Sequence, residues 1–82
     1  MQGRRLEKND DGEFWPVLPG DYFCMSPGIW YGRAPAGQLA NLGGHTVTEH
    51  EDGTISVFPS ILVSNGVTKW HGYLEHGVWR EC

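Results

Sequence analysis

The sequence predicts an all-β fold: a small antiparallel meander or sandwich, or a partly open barrel, built from hairpins. Three observations carry that prediction. Twelve glycines and five prolines in 82 residues punctuate a chain of short strands and tight turns rather than long helices. No stretch keeps apolar residues at the spacing of an amphipathic helix. Finally, Asp10-Asp11-Gly12, Glu51-Asp52-Gly53 and Glu75-His76-Gly77 each place glycine after a polar pair. That order suits a three-residue hairpin loop whose last position needs a positive φ.

A chain of this length predicts one domain, residues 1 to 82, with 1 to 12 as a flexible arm or edge hairpin. Such a chain buries only about 60% of the surface its unfolded form exposes. The four tryptophans, three tyrosines and three phenylalanines compensate in part, since each large ring can bury about 150 to 250 Å².

Along the chain, Phe14 to Leu18 reads as one strand, Pro19-Gly20 as a type II turn, and Asp21 to Met25 as a second strand that Ser26-Pro27-Gly28 ends. Ile29 to Gly44 has no persistent period and reads as loop with one short strand, and a turn of helix fits near Gln38 to Asn41. A hairpin follows, with strands His45 to His50 and Thr54 to Phe58. Closing it over Glu51 to Gly53 sets His50 opposite Thr54, Glu49 opposite Ile55, Thr48 opposite Ser56 and Val47 opposite Val57. Val47, Ile55 and Val57 then share one face, with Thr46, Thr48, His50, Thr54 and Ser56 on the other, as in a half-buried antiparallel pair. Phe58 alone falls on the polar side, beside Pro59, where a bend would redirect it.

Asn65-Gly66 signals a two-residue turn, and with the Glu75 to Gly77 loop it predicts a meander of Ser60 to Ser64, Val67 to Leu74 and Val78 to Cys82. One face carries Ile61, Val63, Trp70, Leu74 and Val78 and reads as core. The other carries Ser60, Leu62, Lys69, His71, Tyr73, Trp79 and Glu81, with Tyr73 and Trp79 as a cross-strand aromatic pair. The N-terminal half is expected to fold over this second face.

Net charge is −4, with only six lysines and arginines. Duplex nucleic acid is therefore a poor partner, because phosphate binding draws on clustered cations. The opening MQGRRLEKNDDG leads into no apolar run, so neither a secretory signal nor a membrane span is predicted. A reducing compartment would leave Cys24 and Cys82 as free thiols; a disulfide between them is the other pairing.

Ser60, His71 and Glu81 line up as one row across three strands. They are the residue types of a hydrolase triad, in which histidine takes the hydroxyl proton and the acid orients the histidine. No strained G-x-S-x-G elbow accompanies them, and a structural His71 to Glu81 contact is the plainer reading. Cys24, His45, His50, His71, His76 and Cys82 offer metal-ligand chemistry, yet no pair has the close spacing of a zinc site. No cofactor and no metal is predicted. For binding, Trp30, Tyr31 and Arg33, with Asn41 and His45, could stack on a planar ligand or partner, or Trp30 and Tyr31 could cover the open face of the meander.

Asp52-Gly53-Thr54-Ile55-Ser56-Val57, Pro59-Ser60-Ile61, Trp70-His71-Gly72-Tyr73-Leu74 and Gly77-Val78-Trp79 resemble a group of small phage and prophage proteins of unassigned function. Some members are labelled "ammonia monooxygenase", although this sequence offers no membrane span and no copper site. The resemblance spans roughly residues 41 to 82. Related sequences carry a CxCGC-like cluster and a Cys-x-x-His pair, which implies structural zinc; this chain keeps His71 but has Thr68 three residues before it, and Cys24 stands alone. The resemblance implies a phage origin, and hence the cytoplasm of a bacterial host.

The expected function is a non-enzymatic accessory protein that binds a host protein or complex, for example to inhibit a host defence. Its expected binding residues are Trp30, Tyr31, Arg33, Asn41, His71, Tyr73 and Trp79. Two alternatives stand beside it. One is a small-ligand-binding, oligomeric β domain that uses the Tyr73 and Trp79 face, which would also suit a homodimer. The other is a weak Ser60/His71/Glu81 hydrolase.

Overall fold

In a computed structural model that describes residues 1–15, 17–25 and 28–82, the Glu51-Asp52-Gly53 loop closes as its chemistry dictates. The His50 N–H donates to Thr54 O at 2.8 Å and the Gly53 N–H to His50 O at 3.0 Å, while Gly53 takes φ 87°. Asp52 Oδ1 accepts from both the Thr54 N–H and the Thr54 hydroxyl. The register follows, with Val47 opposite Val57, Thr48 opposite Ser56 and Glu49 opposite Ile55.

Eight strands result: β1 Arg4–Arg5, β2 Asp21–Met25, β3 Ile29–Arg33, β4 Leu39–Asn41, β5 Thr46–Glu49, β6 Ile55–Ser64, β7 Lys69–Glu75 and β8 Val78–Glu81. They form two four-stranded sheets, β1-β2-β3-β4 and β5-β6-β7-β8. Every pairing is antiparallel except β1 with β2, which is parallel. The all-β prediction holds, as two sheets facing one another without barrel closure.

The core lies between the sheets. Tyr22, Trp30, Ala34, Ala40 and Leu42 come from the first half of the chain, and Ile55, Val57, Ile61, Val63, Trp70, Leu74 and Trp79 from the second. β7 shows the reason most clearly: Trp70, Gly72 and Leu74 are buried, while Lys69, His71, Tyr73 and Glu75 between them are exposed. The N-terminal half thus covers the Trp70 face of the meander, not the Tyr73 face as expected. Trp70 and Leu74 present far more apolar area than the alternating polar side, and that is the surface a second layer gains most by burying.

Several elements depart from the sequence reading. Of the expected Phe14 to Leu18 strand, the described residues 14, 15, 17 and 18 form none, and Pro16 lies outside the described residues. Ser26 and Pro27 of the expected strand end lie outside them as well. Pro19-Gly20 does form its turn, with the Asp21 N–H donating to Leu18 O and Gly20 at φ 93°. Ile29 to Gly44 contains two strands instead of one, and Gln38 to Asn41 is mostly β4 rather than helix. Pairing of β3 with β2 and of β4 with β3 supplies the order that local periodicity does not. Within residues 1 to 12, β1 joins β2 in parallel, and the Asp10-Asp11-Gly12 loop closes with the Asn9 N–H donating to Glu13 O, the Gly12 N–H to Asn9 O, and Gly12 at φ 77°.

The turn after β6 centres on Gly66 and Val67, with the Asn65 N–H donating to Thr68 O. Ser64 therefore faces Lys69. This slips the pairing implied by an Asn65-Gly66 centre by two residues, which leaves every face unchanged. The next turn slips by one. Glu75 faces Val78, and the loop is His76-Gly77 alone, at φ 47° and 77°, the two-positive-φ form of a tight hairpin.

That single step exchanges the faces of β8. Trp79 is opposite Leu74 and 1% exposed, so the expected Tyr73 and Trp79 pair does not exist and Val78 leaves the core face. A non-glycine residue at positive φ costs about 1–2 kcal/mol. Burying an indole of about 200 Å² at about 25 cal/mol per Å² is worth up to about 5 kcal/mol, so burial of the ring outweighs the backbone strain and decides the turn.

Candidate functional site

The seven residues expected to bind fall into three layers. Trp30 and Trp79 are buried between the sheets. Trp79 meets the Trp70 ring edge-on at 5.5 Å, and the Arg5 guanidinium lies 5.1 Å from the Trp30 ring centre. Tyr31, Arg33 and Asn41 lie on the outer face of the first sheet, where the Tyr31 ring stacks on Phe23 at 5.7 Å and Phe23 on Phe14 at 4.7 Å. Arg33 Nη1 donates to Gly37 O, and Asn41 Oδ1 accepts from the Gly43 N–H. Trp30 and Tyr31 are neighbours on one strand and so point to opposite sides; they cannot act together. His71 and Tyr73 lie on the far outer face, that of the second sheet.

On that face His71 Nε2 is 3.0 Å from Ser60 Oγ, as the predicted row requires. Glu81 does not join them. It pairs with Gly72, whose inward register shows that the one-residue slip has carried Glu81 to the other side. Near the imidazole stands Cys82 instead, its Sγ 3.9 Å from His71 Nε2. The acid that a triad needs to orient the histidine is absent from this row, which removes the structural basis of the hydrolase reading.

Sequence reasoning undervalued Phe58 and Leu62. β6 carries extra residues between Val57, which faces Leu74, and Ile61, which faces Gly72. Phe58 and Pro59 occupy this bulge, where proline's missing N–H is tolerated. The strand runs on through Pro59, and no bend turns Phe58 inward: it is 71% exposed. Leu62, opposite His71, is 69% exposed and Tyr73 40%. Phe58 and Tyr73 line a hollow of about 290 Å³ together with Thr48, Ser56, Glu75 and His76. The signal for both residues was their outward parity, already present in the hairpin register.

Around the hollow, His50 and His76 stack at 3.9 Å. Ser56 Oγ accepts the His76 backbone N–H and lies 2.8 Å from His50 Nε2. Arg80, opposite Tyr73, pairs with Glu75. Among the described residues no group of three His, Cys, Asp or Glu side chains converges as a metal site would require. Both cysteines are free, Cys24 half-buried against the core and Cys82 exposed. No helix among the described residues is long and apolar enough to cross a membrane.

Comparison of the chain with protein-family models, curated proteins and solved structures finds no match.

Proposed function

We propose that this protein is a phage-encoded accessory binding module that docks a bacterial host protein on the outer face of its second sheet. The observation that carries the reading is the exposure of Phe58, Leu62 and Tyr73 on one face. Apolar side chains gathered on a rigid sheet, bordered by Lys69, Glu75 and Arg80, have the composition of a docking surface: an apolar centre with a polar rim. On the first sheet's outer face, by contrast, Phe14, Phe23 and Tyr31 spend their rings on one another. The host and the phage origin rest on the resemblance of residues 41 to 82.

The experiment compares capture from bacterial lysate by the wild-type chain, by Phe58→Ser/Leu62→Ser/Tyr73→Ser, and by Trp15→Ser, a control at an exposed site outside this face. A specific partner retained by wild type and Trp15→Ser but lost by the triple variant supports the proposal. Equal capture by all three overturns it. Sedimentation of the free protein checks whether a second copy occupies the face instead.

A further inference from the structure

Within its sheet β5 is hydrogen-bonded on one side only, to β6. The His50 N–H donates to Thr54 O, and bonded positions alternate along an antiparallel ladder, so Thr48 and Thr46 also turn their backbone groups to β6 while Glu49 and Val47 turn theirs away. Among the described residues, no backbone group of another element pairs with these outward N–H and C=O groups. The other edges are closed or short. On β8 the Trp79 N–H donates to Met1 O and the Met1 amino group to Trp79 O, whereas β4 has three residues and β1 two. β5 lacks the usual devices that blunt an edge, since it has no lysine, no proline and no bulge.

We infer that the β5 edge receives an extended peptide segment, which adds as a further antiparallel strand with a basic residue opposite Glu49 and an aliphatic residue opposite Val47. Open N–H and C=O groups at strand spacing are matched by another extended backbone, and antiparallel pairing continues the order of this sheet and is the more stable per residue. Parity sets the side chains. Val47 and Glu49 point to the same side, where Val47 packs against the core and borders an open cleft together with Ile29, itself 38% exposed. An aliphatic side chain opposite Val47 lies over that apolar surface. Around Glu49 the charge is negative: Glu51 and Asp52 follow in the loop, and Arg5, the cation that reaches Glu49, also carries Glu7. A second copy of β5 would bring no lysine or arginine to this end, because the strand has none. These contacts belong to a strand edge, so the inference stands whether or not Phe58, Leu62 and Tyr73 dock a partner.

The test is a backbone amide NMR titration of the intact chain at neutral pH with the peptide acetyl-Thr-Lys-Thr-Ile-Thr-amide, which sets its lysine opposite Glu49 and its isoleucine opposite Val47. Binding should move the Val47 and Glu49 amide protons downfield and slow their exchange with water, while those of Thr46 and Thr48, already bonded to β6, change little. N-methylation of the peptide's lysine and isoleucine keeps both side chains but removes the N–H groups that face β5, and should weaken binding about tenfold or more. Glutamate in place of the peptide's lysine should bind wild type about fivefold more weakly, and the order should reverse in Glu49→Lys, a substitution at an exposed side chain. No shift at millimolar peptide, Thr46 and Thr48 moving as much as Val47 and Glu49, equal affinity for the N-methylated peptide, or the same shifts on concentrating the free protein, the sign of a second copy on the edge, would each overturn the inference. The wild-type titrations decide the matter even if Glu49→Lys fails to fold.

Discussion

The Trp79 indole N–H donates a 2.9 Å hydrogen bond to the carbonyl oxygen of Gly20, and the Arg4 N–H reaches the same oxygen at 3.2 Å. One acceptor thus joins the last strand of the second sheet to the turn and the edge strand of the first. The Gly3 N–H donates to Gly77 O close by, so residues 1 to 5 bridge from β8 to β2. Replacing Trp79 by Phe removes the hydrogen bond while keeping most of the ring and should cost about 1–2 kcal/mol; Trp79→Ala should cost about 3–5 kcal/mol. Urea unfolding measures both.

Gly72 is buried on β7, and a Cβ there would run into the Arg80 carbonyl oxygen and the Trp70 ring. Backbone on one side and a core indole on the other leave nothing flexible to yield. Gly72→Ala should destabilise by about 1–3 kcal/mol or more. Gly44→Ala, where a Cβ meets nothing within 4 Å, should leave the unfolding midpoint nearly unchanged.

The alternation along the central strands predicts opposite responses from two leucines. Leu74 is fully buried and Leu62 is 69% exposed. Leu74→Ala should cost about 2–5 kcal/mol, whereas Leu62→Ser should stay within about 0.5 kcal/mol. Comparable losses at both sites would contradict the assigned faces.

Two groups give stability a pH dependence of known sign. Hydrogen bonds from the Thr54 hydroxyl and N–H hold the Asp52 carboxyl below its ordinary value. Its contribution is present above the ordinary carboxylate range and is lost as pH falls through the lower folded value. Thr54→Val should move the Asp52 titration back upward, read from its carboxyl ¹³C shift. Burial pushes the Tyr22 phenol up, with Arg5 partly opposing. That contribution is full below about pH 10 and is lost as pH rises through the higher folded value, so urea midpoints should decline in strong alkali.

What was legible in the sequence was what local chemistry controls. The Glu51 to Gly53 loop determined the β5–β6 register, because Asp52 and a positive-φ glycine close it without outside help. The alternation of β7 announced Trp70 and Leu74 as core, and the slip at Gly66 did no harm because it was even. Ser60 beside His71 followed from the same parity. The outer face of the second sheet was half visible: His71, Tyr73 and Leu62 were placed outward, but Phe58 was expected to turn away at Pro59.

Only the tertiary structure decided the position of β8. His76 accepts a positive φ because the resulting register buries Trp79 against Trp70 and Leu74, an energy no local propensity contains. That one residue of shift dissolved the Tyr73 and Trp79 pair and carried Glu81 away from His71. Likewise, β3 and β4 lack a period of their own and become strands by pairing, β3 with β2 and β4 with β3, while Trp30 and His45 meet at one cleft only because the two sheets face each other. Turns are settled by the few residues within them; the placement of large rings is settled by what the other layer offers to cover them.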